Sequence, residues 1–552
     1  MMFQRDQRSG WMVASKLRKQ SLLVAVNALA GVSIFFFGYD QGMMGGVNVS
    51  PDYIRTMGFG HIDSLGNIVI TNALLQGGIV AVYYLGTLLG CLLGGSIGDR
   101  YGRINAIGFG SLWAVLGAVL QCSAGDHAWM ICARIVNGVG TGILNAVVPA
   151  WASEIVEYTS RGQFIAIEFT LNIFGVVVAY WLEYGIAAGD AHDSAFRWRF
   201  PIAFQIIPLL VLLAVCWLFP ESPRWLVTVD RHEESLHILQ RLRGTEGDDA
   251  GKAEAELADI RNVVALERKT SHQSTYYHMF FGIGSGKLHT GRRVQLCIWL
   301  QIMQSWTGIS GVTMFGPTIF GIAGFGAQKA QWISGLNNVF YMFATLICVF
   351  TLDRIGRRWT LYWGSVVQGI AMFLGGGLIR GGLQATASGS GTAAGWGVGA
   401  ASMVFLYTFV FGATWLTVPW LYPAEIFPLC IRAKGNAWGV VGWSIGCASL
   451  TLVLPYIVSA INEKLLYIFG ACNIISIPIV WALYPESNQR TLEEMDMLFA
   501  ADTPWAWDAE RNFARLKEQN ADMIHGGENH VLDVEGKRLS IVHAEKVDLT
   551  LN

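Results

Sequence analysis

The sequence predicts an all-α membrane protein in which twelve transmembrane helices form two six-helix bundles. Hydrophobic residues make up 53% of its 552 residues and charged residues only 14%, whereas soluble domains carry about 25% charged residues. Apolar runs of about 20 residues, long enough to cross a bilayer as helices, occur twelve times. The composition also excludes a disordered chain, and the net charge of −2 excludes a large basic surface for nucleic acid.

The apolar runs form two sets of six, separated by a polar stretch. They lie at about 21–47, 76–97, 104–124, 128–150, 163–186, 200–219, 293–317, 330–352, 359–380, 396–421, 435–458 and 464–484. We therefore expect an N-terminal tail over 1–21, a six-helix bundle over 22–219, a linker with short helices over 220–292, a second six-helix bundle over 293–484 and a C-terminal tail over 485–552. In the linker, Leu257, Ile260 and Val264 recur at helical spacing among charges, which predicts an amphipathic helix.

Basic residues concentrate in alternate loops, and this pattern predicts the orientation of the chain. The N-terminal tail and the loops after the second, fourth, eighth and tenth runs are rich in Arg and Lys, whereas the intervening loops hold few. Because positively charged loops stay in the cytoplasm, we expect both termini there. The first run is too long for the apolar part of a signal peptide. Asn48 begins an Asn-Val-Ser sequon on the expected outer side and is a candidate glycosylation site.

Three charged motifs recur at matching places in the two halves. They are Asp-Arg-x-Gly-Arg after the second and eighth runs, a Glu seven residues before an Arg after the fourth and tenth runs, and Pro-Glu-Ser after the sixth and twelfth runs. Their charged residues are Asp99, Arg100, Arg103, Glu154, Arg161, Glu221, Arg224, Asp353, Arg354, Arg357, Arg358, Glu425, Arg432, Glu486 and Arg490. Arg and carboxylate groups at cytoplasmic helix ends can pair by charge-assisted hydrogen bonds. We expect them to gate the movement of the bundles; the alternative is that they only fix topology and cap helices.

Two opposite charges lie inside the predicted membrane spans, Asp40 in the first run and Arg134 in the fourth run. A charge at the bilayer centre costs at least about 2.5–3.5 kcal/mol, so we expect both side chains to face a cavity and to pair. Protonation of Asp40 would release Arg134 and couple proton entry to bundle movement; the alternative is a static ion pair that fixes packing. Glu168 lies seven residues after Arg161, about 10 Å along a helix, and is a second candidate for binding a proton or the substrate.

The paired Asp-Arg-x-Gly-Arg motifs and Pro220-Glu221-Ser222-Pro223-Arg224 resemble those of the sugar porter family of the major facilitator superfamily. The resemblance covers about residues 22–497 and implies two bundles related by an axis along the membrane normal, with the substrate between them at the midplane. It implies a plasma-membrane transporter that takes up a sugar or polyol as a monomeric unit in the lipid bilayer. Family members that transport protons carry an acid at the position of Asp40, so the proton is the second expected partner.

The resemblance also implies substrate-binding residues, although several differ from the family pattern. The candidates are Gln304, Ser310, Trp420, Phe169 and Trp443. Of the two adjacent glutamines usual in the seventh helix only Gln304 is present, and Ser310 and Phe169 stand where the family usually has amides. The apolar wall that results could suit a polyol, a less polar sugar derivative or a different solute. Alternatively, nearby residues replace the missing ligands, namely Asn172, Asn337, Asn338 or Tyr341.

Other functional classes find little support in the sequence. The nine cysteines are scattered without a CxxC pair, which argues against a metal site or a disulfide framework, and we expect no metal and no cofactor. The stretch 282–287 lacks the first Gly and the final Ser or Thr of a P-loop, and hydrolase and metalloprotease motifs are missing, so we expect no enzyme. Two alternatives remain open: an exporter of a small natural product and a facilitator without proton coupling. A nutrient sensor is disfavoured by the short C-terminal tail.

Overall fold

The computed structural model describes most of the chain as helix. The described residues are 17, 19–63, 68–155, 161–189, 193–244, 251–270, 275–389, 392–428, 431–488, 490, 492–500, 503–519, 530–532 and 538–540. The first half contains α1 (Gln20–Val47), α2 (Pro51–Met57), β1 (Gly60–Ile62), β2 (Ile68–Ile70), α3 (Ala73–Tyr101), α4 (Arg103–Cys122), α5 (His127–Ile155), α6 (Arg161–Ala188), α7 (Phe196–Phe204) and α8 (Ile206–Val215). The linker contains α9 (Pro223–Thr228), α10 (His232–Arg243), α11 (Lys252–Thr270) and α12 (Tyr276–Phe281).

The second half repeats the helical arrangement and adds a helical tail. It contains α13 (Thr290–Gln304), α14 (Ser310–Met314), α15 (Gly316–Ile322), α16 (Ala327–Ile355), α17 (Arg357–Ala387), α18 (Ala393–Ala413), α19 (Val418–Ile426), α20 (Arg432–Ile461) and α21 (Lys464–Leu483). The tail contains α22 (Leu492–Phe499), α23 (Ala506–Gln519), β3 (His530–Leu532) and β4 (Arg538–Ser540). The strands form two antiparallel hairpins, β1 with β2 and β3 with β4.

Ten helical segments in the described part of the chain are long and apolar enough to cross a membrane. The other two of the twelve predicted runs correspond to the interrupted helix α13–α15 and to α16. Within the first bundle α1 packs on α6, and α5 packs on α3 and α4. Within the second bundle α17 packs on α18 and α21, and α13 packs on α20. The two bundles meet where α3 contacts α20 and where α6 contacts α16.

The linker and the tail lie against the helix ends that carry the repeated motifs, hereafter the motif end. In α11, the residues with predicted helical spacing turn toward α9 and α10, with Leu257 and Val264 buried and Ile260 packed beside them. The tail packs on the second bundle: Arg293 of α13 forms an ion pair of 2.8 Å with Asp496 of α22. Both connections therefore form helical supports under the bundles.

Candidate functional site

A cavity of about 220 Å³ lies between the two bundles. Helices α1, α5 and α6 form one wall, and α13, α14, α16, α19 and α20 form the other. The lining extends toward the motif end, where it includes Ser153, Ala424 and Arg432. All five predicted substrate-binding residues, Gln304, Ser310, Trp420, Phe169 and Trp443, belong to the lining, as does Glu168.

The opposite end of the bundles is closed by contacts between them. Tyr180 of α6 donates a hydrogen bond of 2.7 Å to the carbonyl of Thr313 in α14. On the other side of the interface, near the start of α3, Gly77 packs so closely on α20 that a Cβ there would overlap the carbonyl of Leu452. The bundles are therefore joined on the side away from the motifs, and the cavity extends toward the motif end.

The second-bundle wall contains a break in the helix that follows α13. A π turn at Ser305–Ile309 separates α13 from α14, and Gly308 in this turn has φ = 115°, a conformation that side chains disfavour. The Nδ2 of Asn473 in α21 donates a hydrogen bond of 3.0 Å to the carbonyl of Thr307, a group that the break exposes. Such π turns occur often at functional sites, and this one directs both ends of the broken helix toward the cavity.

The predicted polar ligands on this wall already have partners within the protein. The amide Nε2 of Gln304 donates to the carbonyls of Trp415, at 2.7 Å, and Leu416, at 3.1 Å. The hydroxyl of Ser310 lies 3.3 Å from the sulfur of Cys447. These bonds tie α13 to the segment between α18 and α19, and α14 to α20. Gln304 and Ser310 therefore shape this wall as much as they face the cavity.

Aromatic side chains from both bundles adjoin one another along the cavity. The ring centres of Phe169 and Trp420 are 6.0 Å apart and those of Trp420 and Trp443 are 5.9 Å apart. The ring centres of Phe37 and Trp443 are 5.1 Å apart. All four rings line the cavity. They form an apolar arc, suited to the flat or apolar face of a solute.

The first-bundle wall carries polar atoms that have no hydrogen-bond partner. These atoms are Oε1 of Glu168, Nδ2 of Asn172 and Nδ2 of Asn145, on residues that are 7%, 6% and 9% exposed. Asn145 was not among the sequence candidates; the signal for it was an amide inside an apolar run, since polar residues in membrane helices face the protein interior.

The four alternative ligands proposed from the sequence divide into two pairs. Asn172 and Tyr341 line the cavity, whereas Asn337 and Asn338 are not part of its described lining. The Nδ2 of Asn337 instead donates a hydrogen bond of 3.2 Å to the hydroxyl of Thr408. Two of these four residues are therefore placed where they could contact a substrate.

The structure brings Asp40 and Arg134 together inside the first bundle. Oδ1 of Asp40 lies 4.0 Å from Nη1 of Arg134, both residues are buried, and the guanidinium lies 4.7 Å from the ring centre of Tyr83. The expectation that both face the cavity is wrong, because neither belongs to its described lining. The neighbours Phe37 and Gln41 on α1 do line it, so α1 connects Asp40 to the cavity.

The motif charges of the first half form one cluster at the motif end, hereafter the first cluster. Nη1 of Arg103 contacts Asp99 at 2.7 Å, while its Nη2 and Nε contact the two oxygens of Glu154 at 3.2 and 3.3 Å. Glu221 accepts hydrogen bonds of 2.9 and 3.1 Å from the backbone N–H groups of Arg103 and Ile104, the start of α4. Burial raises the pKa of Glu221 to about 7.

The motif charges of the second half form a matching second cluster. Nη2 and Nε of Arg357 contact one oxygen of Glu425 at 2.6 and 3.1 Å. Glu486 accepts hydrogen bonds of 2.9 and 3.0 Å from the backbone N–H groups of Arg357 and Arg358, the start of α17. Arg490 pairs with Glu510 of α23 at 2.6 Å.

The side chains of four further motif residues are described. Arg100 and Arg354 are exposed, Arg224 lies near Glu154, and Arg432 lines the cavity at its motif end. The side chains of Arg161 and Asp353 are outside the described residues. Each cluster lies within its own half of the molecule, so a role in holding the two bundles together stays a prediction.

The candidate glycosylation site does not face solvent in the folded chain. Asn48 is 2% exposed and Ser50 of the same sequon is fully buried. A glycan on Nδ2 would have to displace the packing at the end of α1. The burial therefore argues against a modified Asn48.

Similarity to known proteins extends over nearly the whole chain. The model of the family "Sugar (and other) transporter" matches residues 24–499. The MFS-type transporter criB of Aspergillus cristatus is 29% identical over 481 residues, which are 87% of this chain and 94% of that protein. The MFS glucose transporter mfs1 of Aspergillus flavus is 30% identical over 508 residues, 89% of this chain and 92% of that protein.

Among solved structures, the proton:xylose symporter XylE, bound to 6-bromo-6-deoxy-D-glucose, has a similar architecture. It superposes with a TM-score of 0.70 and 24% identity, and the match covers 87% of this chain and 100% of that one. The likeness at this identity establishes the fold alone, which is the major facilitator fold of two six-helix bundles.

Proposed function

The chain belongs to the Sugar (and other) transporter family, and on that basis we propose that it is a proton-coupled symporter that takes up a sugar or polyol by alternating access. The observation that carries the proposal is the cavity between the bundles, closed at one end and extending toward the motif end, beside a buried Asp–Arg pair. We place the transporter in the plasma membrane as a monomeric unit, with both termini and the motif end in the cytoplasm.

The proposed cycle moves the substrate by changing which end of the bundles is closed. The contacts of Tyr180 with Thr313 and of Gly77 with Leu452 close the outer end. Opening that end requires these contacts to break while the motif ends of the bundles approach each other. The two clusters cap the helices that would meet there, and this supports a gating role for their charges.

The proton would act at Asp40. At 4.0 Å the carboxylate and the guanidinium of Arg134 attract each other without a direct hydrogen bond, and because both are buried, separating them while both are charged is costly. A proton bound to Asp40 removes the negative charge and with it this attraction, while the guanidinium keeps its contact with the ring of Tyr83. Release of the proton to the cytoplasm restores the pair.

The connection from the proton to the substrate would run along α1. Phe37 lies one turn before Asp40 and contacts the ring of Trp443 in the second bundle at 5.1 Å. Gln41 follows Asp40 directly and lines the cavity. A shift of α1 on protonation therefore changes the cavity wall. Glu168 provides a second protonatable group, placed in that wall itself.

Uptake by cells without hexose carriers of their own tests this proposal. The cells receive labelled glucose, xylose, a disaccharide or glycerol, with and without a protonophore, and Asp40→Asn is measured in parallel. The proposal expects accumulation of at least one solute that both the protonophore and Asp40→Asn abolish. Uptake insensitive to both would identify a facilitator without proton coupling and contradict the role of Asp40.

The apolar arc favours a second candidate, the export of a small natural product. The four aromatic rings of the arc, two on each wall, suit a less polar solute than a hexose. The direction of flux separates the two functions. In an exporter, cells that carry the protein at their surface take up none of the sugars and instead lose a preloaded solute faster than control cells.

A further inference from the structure

Free hydrogen-bonding capacity in the cavity is distributed unequally between its two walls. On the first-bundle wall Glu168, Asn172 and Asn145 each leave a side-chain atom without a partner. On the second-bundle wall the Nε2 of Gln304 and the hydroxyls of Ser305 and Thr313 bond to main-chain carbonyls. On that wall Oε1 of Gln301 also has no partner, although its Nε2 bonds to the carbonyl of Pro419.

The free groups of the first-bundle wall stand at fixed positions. Glu168 and Asn172 are four residues apart on α6, so their side chains are neighbours on one face of the helix. At Asn172, α6 packs directly on α1, because a Cβ on Gly38 would overlap the carbonyl of Asn172. Main-chain contact this close leaves α6 little freedom to turn these groups out of the cavity.

The types of free atom identify the chemistry of the substrate. The carboxylate oxygen accepts hydrogen bonds, whereas the two amide nitrogens donate them. A hydroxyl group both donates and accepts, so adjacent hydroxyls satisfy all three groups. A cation would leave the amide donors unused, and an anion would have no donor to offer to Oε1 of Glu168.

From this arrangement we propose that the cavity binds a neutral amphipathic solute, whose hydroxyl groups contact Glu168, Asn172 and Asn145 while its apolar part lies on the aromatic arc. Trp420 and Trp443 supply the part of that arc on the second-bundle wall, and Phe37 and Phe169 supply the part on the first-bundle wall. An aryl glycoside, with a hydroxylated ring and an aromatic group, has this chemistry. The inference rests on the proposed function for the identity of the cavity as the substrate site and narrows its substrate class.

Binding to the purified full-length protein tests the inference. Isothermal titration calorimetry compares D-glucose, glycerol and phenyl β-D-glucopyranoside. We expect the phenyl glucoside to bind at least about tenfold more tightly than glucose, because the aromatic arc then has an apolar group to bury. Glu168→Gln, which keeps the shape of the side chain, and Asn172→Ala should each weaken its binding by about tenfold, because each removes a hydrogen bond inside a buried site.

A matched control comes from the second-bundle wall. Thr313→Val keeps the shape of a cavity-lining residue whose hydroxyl bonds to the carbonyl of Ile309, and it should change binding by less than about twofold. Glucose binding as tight as the phenyl glucoside, or an unchanged affinity in both Glu168→Gln and Asn172→Ala, would overturn the inference and leave sugar transport standing. If none of the three compounds binds to folded protein, both the inference and the proposed substrate class are wrong.

Discussion

The first and second clusters share one design and differ in what surrounds it. In each, an Arg in the first turn of a helix bonds to the Glu of a neighbouring helix, and a Glu from a Pro-Glu-Ser motif accepts the backbone N–H groups that begin that helix. A carboxylate at this position also interacts favourably with the helix dipole. The repeated motif therefore specifies a helix cap together with an ion pair.

The surroundings distinguish the two clusters. Arg103 bonds to two acids, Asp99 and Glu154, whereas Arg357 bonds to Glu425 and to the amide oxygen of Asn488, at 2.6 Å. Trp225 of the linker joins the first cluster by donating to the carbonyl of Asp99. In the second cluster the adjoining segment is the tail, through Arg490 and Glu510 of α23.

The repeat therefore determines the geometry of each cluster, while the following segment determines its charge balance and connections. In the first cluster the central cation Arg103 is shared by two acids, and Arg224 also lies near Glu154. The second has one acid for its central cation and a separate tie to the tail. The substitutions below test whether this asymmetry has energetic consequences.

Removing the central cation should have the largest effect, and a larger one in the first cluster. Arg103→Ala removes the guanidinium from Asp99 and Glu154 and should lower the free energy of unfolding by about 3–5 kcal/mol. Arg357→Ala leaves Glu425 with the hydroxyl of Ser487, 2.6 Å away, and should cost about 1–3 kcal/mol. Thermal unfolding in detergent measures both. Arg100→Ala, in the same motif but exposed, is the control with no expected change; equal losses at 103 and 357 would contradict the asymmetry.

Replacement by lysine separates the effect of charge from that of hydrogen-bond geometry in the two clusters, since lysine keeps the charge but loses the fork of donors. Arg103 uses that fork on both oxygens of Glu154 and on Asp99, so Arg103→Lys should cost about 1–2 kcal/mol. Arg357 bonds through Nε and Nη2 to a single oxygen of Glu425 and through Nη1 to the uncharged Asn488. Because one of these two side-chain partners is neutral, Arg357→Lys should cost less. The same unfolding assay compares them, and the reverse order would refute the geometric argument.

A dependence on pH should arise in the first cluster from Glu221. Its pKa is raised by burial from 4.5 to about 7, so the folded state holds this proton more tightly than the unfolded state does. The contribution to stability is therefore full below about pH 4.5 and is lost as the pH rises through 7, which amounts to about 1 kcal/mol between pH 6 and 8. Glu221→Gln should remove this component of the pH profile of unfolding. Glu486→Gln, at the matching cap, controls for the change of a capping group; a pH profile unaltered by Glu221→Gln would show the assignment to be wrong.

The tail contact should produce the smallest effect, confined to the second cluster. Glu510→Ala removes the partly exposed pair with Arg490 and should cost about 0.5 kcal/mol. Hydrogen exchange should increase in α23 and remain unchanged in α10, which lies in the linker. Faster exchange in both helices would show that the tail supports the whole motif end rather than one cluster.

Much of this architecture follows from sequence, because bilayer thickness fixes the length of apolar helices and the repeated charges mark their ends. The break at Gly308 was not predicted, since it depends on a carbonyl that Asn473, more than 160 residues away, bonds in three dimensions. The five candidates for substrate binding do line the cavity, but sequence could not show that the amide of Gln304 bonds to the main chain. The sequence also could not show that Asp40 and Arg134 lie outside the cavity lining, because the rotation of α1 and α5 about their axes depends on packing with α3 and α6.

Transport driven by a pH gradient tests the central claim, proton coupling at Asp40, most directly. Purified protein is reconstituted in liposomes, and the uptake of a labelled solute that it transports is measured with and without an imposed proton gradient. The account predicts accumulation above equilibrium in the wild type under a gradient, and exchange without accumulation in Asp40→Asn. Wild-type uptake that only reaches equilibrium, or full accumulation by Asp40→Asn, would contradict it.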